Sequence, residues 1–255
     1  MRSESIKNKP WEPTDGGRAD ILQAQSLPFV VRVAKPSEVP GIVELRSEAY
    51  GRHVPELGRK FANAEPADSD GSAVLIAAFD KADGAPLGSM RLHFNGGGRR
   101  LPIEASLAKA ELDLESRFGA LDGELRMVEP TRLSIARELP YPSLVVRLSL
   151  FKALFIAAEV AAVEWMVVGA RRALSRIYED LLFSDTFEEG KFYPLAHAGD
   201  IPHRVMCLSP KAAPALWRAA GLPFADGVVA NSFDIDSQSI REAALAAFPV
   251  SCPMA

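Results

Sequence analysis

The stretch GELRMVEPTRLSIARE, residues 123–138, is the most informative about the fold, because it reads as one long β-strand with a proline inside it. Proline supplies no backbone N–H, so a strand that contains one lies at a sheet edge or carries a bulge. In a regular strand Glu129 and Arg132 would face opposite sides, since residues three apart do. A bulge at Pro130 would turn both side chains towards one cavity.

Helices and strands alternate after this stretch. A long amphipathic helix is predicted over residues 143–162, and the apolar run 163–170 reads as a buried strand. The next segment, RRALSRIYEDLLF, has apolar residues at helical spacing, with Tyr178 on the inward side. A further strand is predicted around residues 203–208, and a helix over residues 210–220.

A strand, a helix and a β-hairpin are predicted before the stretch. Residues 29–33 form a β-rich run, and Ser37 is placed to cap the helix that follows. The apolar run 72–79 and the segment PLGSMRLHF, residues 86–94, flank KADGAP, which has turn composition. The two runs are therefore expected to pair as a hairpin.

Two arginines lie in these otherwise core-forming elements. Arg46 falls within the apolar stripe of the first helix, where burying a lone guanidinium would be very costly. It must find buried partners, face a polar cavity or extend to the rim of the helix. Arg91 alternates with Met90 and Leu92, so it points to the polar side of its strand.

The order of the elements predicts an α/β fold with a mixed, twisted β-sheet and helices on both faces. Residues 1–27 contain two prolines and a glycine pair and read as a mobile N-terminal arm. Residues 28–209 are expected to form the main domain. Residues 210–255 are interpreted as a C-terminal helical extension.

Composition narrows the classes of function. The chain has 255 residues, of which 48% are hydrophobic and 24% charged, as in ordinary globular domains. The net charge of −4, with no basic run longer than a pair, argues against nucleic acid as a partner. The two cysteines cannot build a disulfide framework or a CxxC site, and the four histidines lack metal-binding spacing. No metal site is predicted.

A cytoplasmic location is the simplest expectation. The N-terminus MRSESIKNKPWEPTDGGR lacks the apolar core of a signal peptide. The most apolar stretch, residues 148–168, contains Lys152, Glu159 and Glu164, which makes it a poor membrane span. No transmembrane segment is predicted.

The order of elements, and the helix ARRALSRIYEDLLF with its tyrosine, resemble the GNAT acyltransferase superfamily. A closer resemblance is to the branch of acyl-homoserine-lactone (autoinducer) synthases and N-acyl amino acid synthases. It rests on ELRSEAYGRH (residues 44–53), on PLGSMRLHF and on EPTRLSIARE, in that order along the chain. The resemblance implies a GNAT-like sheet and transfer of an acyl group from a thioester to an amine.

Two departures bear on the substrates. Autoinducer synthases usually carry a D-x-x-D pair, whereas the same region here reads PADSDG, with Asp68 and Asp70 two apart. The glycine-rich pyrophosphate loop of acetyl-CoA enzymes is absent from ARELPYPSLVV. The sequence therefore favours an N-acyl amino acid synthase that takes a long-chain acyl group from acyl-carrier protein. The alternatives are an acyl-homoserine-lactone synthase, an acetyl-CoA-dependent N-acetyltransferase and a non-catalytic GNAT domain that binds an acyl carrier or a metabolite.

The resemblance also implies roles for particular residues. Glu129 would accept or relay the proton of the amine, and Tyr178 would donate to the leaving thiolate. The structural alternatives are a salt bridge from Glu129 to Arg132 or Arg91 and a packed core tyrosine. The acceptor is expected to bind among Arg46, Tyr50, Asp70, Arg91 and Arg132. The thioester and its pantetheine are expected along Leu133, Ser134, Ile135, Ala136 and Ser143.

The resemblance implies a co-substrate and no bound cofactor. The donor would be the phosphopantetheine thioester of acyl-carrier protein, or acyl-CoA, and the acceptor a small amine or amino acid. Because carrier proteins are acidic, five basic residues are candidates for a docking surface: Arg147, Lys152, Arg171, Arg172 and Arg176.

Overall fold

The structure is a computed structural model that describes residues 27–96, 98–119, 125–139, 142–222 and 234–248. The arm predicted over residues 1–27 lies outside the described residues except for Leu27. Cys252, at the C-terminus, also lies outside them. The predicted division into arm, main domain and extension stays a prediction.

The described residues contain eight strands: β1 (Phe29–Val33), β2 (Val74–Asp80), β3 (Pro86–Phe94), β4 (Met127–Ile135), β5 (Trp165–Ala170), β6 (Ser184–Asp185), β7 (Tyr193–Leu195) and β8 (Ile201–Leu208). Seven of them follow the order β1-β2-β3-β4-β5-β8-β6, while β7 pairs with β8. Neighbouring strands are antiparallel except for β4 and β5, which run parallel. The predicted mixed sheet is confirmed.

Eight α-helices lie in the described ranges, together with three short 3₁₀ turns at Pro36–Glu38, Pro66–Asp68 and Ala196–Ala198. The helices are α1 (Val39–Gly51), α2 (Pro55–Lys60), α3 (Pro102–Ala108), α4 (Leu114–Phe118), α5 (Ser143–Val160), α6 (Arg172–Asp180), α7 (Ala213–Ala219) and α8 (Ser237–Ala247). Pro40 lies in the first turn of α1, but the predicted cap at Ser37 is wrong. Ser37 falls inside the preceding 3₁₀ turn, so Glu38 occupies the N-cap position.

The helices α1 and α5 cover opposite faces of the sheet. On β2, Leu75 and Ala77 pack in a cluster with Ile42 of α1. The alternate residues Ile76 and Ala78 belong to the larger core cluster that contains the buried residues of α5. Because side chains alternate along a strand, this run of small and apolar residues contributes to the two clusters on opposite faces of the sheet. Helices on both faces are thus confirmed.

The strand β4 lies in the middle of the sheet, between β3 and β5. Its bulge is at Arg132, which has a left-handed φ of 55°, and the pairing with β3 shifts register between Arg91 and Ser89. The edge position considered for Pro130 is therefore wrong. The bulge is confirmed, but it lies two residues after the proline rather than at it.

The parallel strands β4 and β5 pair only where they begin. Met127 lies opposite Trp165 and Val128 opposite Met166, and no pair follows in the described residues. The strands separate just before Pro130, which has no N–H to contribute to a ladder with β5. The backbone of β4 beyond this point therefore forms an open edge along a gap.

The helix α5 is buried on most of its circumference, so the prediction of an amphipathic helix is wrong. The reason is the C-terminal part of the chain, which covers the side turned away from the sheet. The ring of Trp217 in α7 lies 5.5 Å from that of Phe155, and Ile240 and Ala244 of α8 join the same core cluster. The N–H of Asp236 also donates to a carbonyl of β1 at 2.8 Å.

Candidate active site

A buried cluster of ion pairs forms where α1, β3 and the bulge of β4 approach the 3₁₀ turn Pro66–Asp68. Arg46 holds Asp68 through two hydrogen bonds of 2.8 and 2.9 Å. Arg132 holds Glu65 through two more, of 2.9 and 2.8 Å, and Arg91 donates to the same carboxylate at 2.5 Å. These five residues are called the arginine cluster below. Bidentate geometry of this kind fixes both partners in orientation.

Burial and charge act in opposite directions on the acids of the cluster. Burial raises the pKa of Glu65, but the hydrogen bond and charge of Arg132, with the charge of Arg91, bring it down to about 2. The pKa of Asp68 is also lowered, because the hydrogen bond from Arg46 and other nearby charges outweigh burial. Both carboxylates are ionised at neutral pH, so three guanidiniums face two negative charges. The cluster carries one net positive charge.

The guanidinium of Arg46 stabilises the cluster from its buried side. Its side chain is 1% exposed, and besides Asp68 it contacts the carbonyl of Asn63 at 3.2 Å. The residue does not line the two described cavities beside the cluster. The expectation that Arg46 contacts the acceptor is therefore corrected: the buried carboxylate of Asp68 holds its guanidinium.

The buried carboxylate of Glu129 pairs with a histidine. Its Oε2 accepts the N–H of Ile103 at 2.8 Å, and its Oε1 lies 3.1 Å from Nε2 of His197. In the described structure it forms no salt bridge to Arg91 or Arg132, so that structural alternative is wrong. The side chain of Glu129 is 1% exposed, and its charge is directed to two specific donors.

His197 lies in the 3₁₀ turn Ala196–Ala198, which is held from both sides. The N–H of Ala196 donates to the hydroxyl of Ser106 at 2.9 Å, and Arg132 donates to the carbonyl of His197 at 3.1 Å. The turn ends at Gly199, whose φ of 79° favours glycine, and a Cβ there would approach Leu57 to 2.8 Å. The backbone around His197 is therefore fixed.

A narrow cavity of about 50 Å³, the central cavity, lies beside the gap between β4 and β5. Burial raises the pKa of Tyr178, whose ring packs edge-on against Phe151 at 5.5 Å, so its hydroxyl stays protonated at neutral pH. Burial also raises the pKa of Tyr50. The lining includes Tyr50, Glu129, Thr131, Arg132, Leu133, Arg171, Leu174, Tyr178, His197 and His203.

A second cavity of about 280 Å³, the polar cavity, opens on the other side of the bulge. Asp70 lies at its exposed rim and accepts the N–H of Ser72 at 2.8 Å. The two cavities share Thr131, Arg132 and His197. The polar cavity is lined by Glu65, Pro66, Ala67, Asp70, Ser72, Arg91, His93, Pro102, Thr131, Arg132 and His197.

The residues predicted for the acyl donor have different environments. Leu133 lines the central cavity, whereas Ser134 is buried and donates to the carbonyl of Arg132 at 3.1 Å. The N–H of Ala136 donates to Leu87 at 2.9 Å, and the carbonyl of Ile135 accepts from Arg52 at 2.6 Å, so these two groups already have partners. Ser143 is exposed at the start of α5.

The proposed docking residues also differ in exposure. Arg172 and Arg176 are exposed on α6, and Arg171 lies partly buried over the ring of Tyr50, 5.4 Å from its centroid. Burial lowers the pKa of Arg147. Lys152 is buried, with 7% exposed, because α5 is covered on its outer side, so placing it on a docking surface is corrected.

Glu65, Asp68 and His197 were not assigned to the site from the sequence. The spacing Glu65-x-x-Asp68 is that of the D-x-x-D pair with Glu at the first position, so a search that allowed either acid would have found it. The apparent lack of an acidic pair is therefore corrected. For His197 no local pattern was available, because its partner Glu129 lies in a distant part of the chain.

The described residues contain no group of three or more His, Cys, Asp or Glu side chains placed to hold a metal ion. Among the described helices, none combines the length and the apolar character that crossing a bilayer requires.

A family model described as N-acyl amino acid synthase FeeM matches residues 41–204. Among solved structures, the chain is similar to FeeM, an N-acyl amino acid synthase from uncultured soil microbes, with 15% identity, a TM-score of 0.54, and coverage of 75% of this chain and 96% of that one. The acyl-homoserine-lactone synthase LasI has 11% identity, a TM-score of 0.48, and coverage of 72% and 91%. The acetyltransferase yncA from Salmonella typhimurium has 16% identity, a TM-score of 0.44, and coverage of 72% and 95%. No curated protein matches the chain.

Proposed function

Because this chain belongs to the N-acyl amino acid synthase FeeM family and is an acyltransferase of the GNAT fold, we propose that it transfers a long-chain acyl group from acyl-carrier protein to the amino group of an amino acid. One observation carries the proposal. The central cavity, beside the gap between β4 and β5, brings together Glu129, Tyr178 and the bulge residue Arg132. A proton acceptor, a proton donor and an acceptor-binding group thus meet at one place.

The gap between β4 and β5 fits a pantetheine arm. Beyond Val128 the β5 side of β4 has no paired strand in the described structure, so backbone groups there are available to an extended ligand. Pantetheine carries two amides, which can pair with such an edge as a strand would. The thioester carbonyl would then lie near Leu133, which lines the central cavity.

The arginine cluster fits the carboxylate of an amino acid. Its one net positive charge matches a single carboxylate, and Arg91 and Arg132 both line the polar cavity. Since Thr131, Arg132 and His197 border both cavities, an acceptor held on the polar side has its amine directed to the thioester side. This arrangement supports an amino acid rather than a simple amine.

The reaction needs two proton transfers. The ammonium of the acceptor must lose a proton before its nitrogen can attack the thioester carbonyl, and the site around Glu129 accepts that proton. The thiolate that leaves must gain one, and Tyr178 is placed to donate because its hydroxyl stays protonated. Of the three ammonium protons, one therefore goes to the site and one remains on the amide. The third protonates the thiol directly or replaces the proton that Tyr178 gave to the thiolate.

The test is release of free thiol by the purified protein, with long-chain acyl-carrier protein, the matching acyl-CoA or acetyl-CoA as donor and a panel of amino acids as acceptors. We expect turnover with acyl-carrier protein and the N-acyl amino acid as product by mass spectrometry. Comparable turnover with acetyl-CoA alone would contradict the donor assignment. Binding of the acyl carrier without thiol release would favour the non-catalytic alternative.

An acyl-homoserine-lactone synthase is a second candidate, favoured by the acidic pair. Glu65 and Asp68 have the three-residue spacing of the D-x-x-D pair, and both bind arginines. The assay distinguishes the two activities once it also offers an amino acid with a leaving group on its γ-carbon, because lactone closure must expel such a group. The lactone and the open N-acyl amino acid then differ in mass. A lactone as the main product would replace the first proposal.

A further inference from the structure

We infer that His197 is the catalytic base of this enzyme and that Glu129 is its positioning residue, an assignment that rests on the proposed acyl transfer to an amine. In the described structure Nε2 of His197 lies 3.1 Å from Oε1 of Glu129, which is 1% exposed. A carboxylate oxygen this close to Nε2 favours the tautomer that carries its proton on Nε2. The lone pair of the neutral ring is then on Nδ1.

The second ring nitrogen supports the assignment. Nδ1 of His197 is shielded from solvent and has no hydrogen-bond partner among the described residues. A buried polar atom without a partner is uncommon in folded proteins and calls for an explanation. An acceptor ammonium, directly or through one water molecule, would supply the missing partner.

The position of His197 fits the path of the acceptor. His197 lines both the central and the polar cavity, whereas Glu129 lines only the central one of the two. The backbone of His197 accepts a hydrogen bond from Arg132, so the residue that would bind the carboxylate also fixes the base. The carboxylate and the amine of an amino acid are close together, so a carboxylate bound by Arg132 would place the amine near His197.

A second histidine of the central cavity provides a comparison. His203 has its Nδ1 within 2.6 Å of the carbonyl of Ile201, so this nitrogen is occupied. Burial lowers the pKa of His203 to about 4. His203 therefore stays neutral near neutral pH and lacks the carboxylate partner that His197 has.

In the proposed step Nδ1 of His197 takes one proton from the ammonium, and the neutral amine attacks the thioester carbonyl. The imidazolium is stabilised by the carboxylate of Glu129 and returns its proton to solvent after product release. The C–N bond forms as the C–S bond breaks. The remaining surplus proton on nitrogen passes to Tyr178 as that hydroxyl protonates the thiolate.

The experiment compares wild type with His197→Gln at increasing pH, using the amino acid acceptor that supports turnover. Glutamine can still donate to Glu129 but cannot accept the proton. At neutral pH we expect kcat/KM to fall by roughly a hundred-fold or more, the effect of losing a general base. As the pH rises towards the pKa of the acceptor's amine, the deficit should shrink about ten-fold per pH unit, because solution supplies the neutral amine.

The other titratable and charged groups around His197 are the same in wild type and in His197→Gln. Their effect on the pH dependence therefore cancels in the ratio of the two rates. In the lining of the two cavities these groups are Tyr50 on α1, Glu65 and Asp70 on either side of the 3₁₀ turn Pro66–Asp68, Arg91 and His93 on β3, Glu129 and Arg132 on β4, Arg171 after β5, Tyr178 on α6 and His203 on β8. The comparison variant His203→Gln should show a deficit, if any, that does not change with pH.

A deficit of His197→Gln that is absent, or that stays constant with pH, would overturn the assignment. If His197→Gln does not fold, judged by circular dichroism, His197→Asn replaces it, because asparagine also offers no basic nitrogen. That variant must then show the same pH-dependent deficit, and a constant one counts against the proposal. Wild type that releases no thiol with any amino acid contradicts the proposed function itself, which is a separate result.

Discussion

At the scale of single residues, Arg46 and Arg91 form a matched pair of buried guanidiniums. Both bind acids of the arginine cluster, and both are at most 3% exposed. Only Arg91 lines the polar cavity. We expect Arg91→Lys to raise the acceptor KM roughly ten- to a hundred-fold, since loss of a charged, bidentate contact is worth about 1.5–3 kcal/mol.

Arg46→Lys is the control, because it disturbs the same cluster without touching the cavity. Both variants should lose some thermal stability, whereas only Arg91→Lys should raise KM. Steady-state kinetics with varied acceptor and a thermal melt of each variant provide the check. Equal changes in the acceptor KM of the two variants would indicate that Arg91 has a structural role only.

Tyr178 is tested by removing one oxygen atom. Its ring packs against Phe151 and Phe183, and these contacts survive in Tyr178→Phe. If the hydroxyl donates to the thiolate, kcat should fall roughly ten- to a thousand-fold while the melting temperature changes little. Single-turnover measurement of thiol release checks this, and a full-rate variant would make Tyr178 a packing residue only.

At the scale of elements, α6 presents exposed positive charge beside the central cavity. Arg172 and Arg176 are exposed on this helix, and its Tyr178 lines the cavity. If an acidic carrier protein docks there, Arg172→Glu combined with Arg176→Glu should raise the KM for acyl-carrier protein about ten-fold or more, with kcat nearly unchanged. The kinetics should be measured at low and at high salt.

The control for this surface is Arg241→Glu, an exposed charge reversal on α8. It changes the net charge in the same direction and lies on a helix that packs against β1 and α5. An equal rise in KM for this variant would indicate a general charge effect instead of docking on α6. No change in either variant would remove α6 as the docking site.

At the scale of the whole molecule, buried titratable groups should make the free energy of unfolding fall in acid in two stages. Burial lowers the pKa of His93 and of His203 from 6.5 to about 4. Below pH 6.5 these histidines bind protons in the unfolded chain but stay neutral in the folded protein. The free energy of unfolding therefore declines as the pH falls from 6.5 to 4. Glu65, with its folded pKa lowered from 4.5 to about 2, adds a second decline below 4.5.

Urea unfolding at a series of pH values measures both stages. The variant His203→Gln should flatten the decline between pH 6.5 and 4 and leave the lower one in place. The variant Glu65→Gln should flatten the decline below pH 4.5 and leave the upper one in place. It should also be less stable at neutral pH, because three guanidiniums then face one carboxylate. A stability curve that is flat down to pH 4 would contradict the first stage.

Local patterns in the sequence were sufficient to predict several helices and strands. The hairpin strand PLGSMRLHF, the strand after residue 126 and the helix that carries Tyr178 follow from the alternation or helical spacing of their apolar residues, which depends on neighbours along the chain. Three motifs in order were enough to indicate the family. The proline in β4 was a correct signal of an irregular strand, although the bulge itself lies at Arg132.

Which charged groups meet and which surfaces are covered depends on the folded chain as a whole. Glu65 receives Arg91 and Arg132 because β3 and β4 pair in one register, and His197 meets Glu129 because a distant turn folds back over β4. Lys152 is buried because the C-terminal helices cover α5. Contacts of this kind join residues far apart in the chain, and their free energy comes from burial and electrostatics that exist only after the sheet has formed, so no local spacing encodes them.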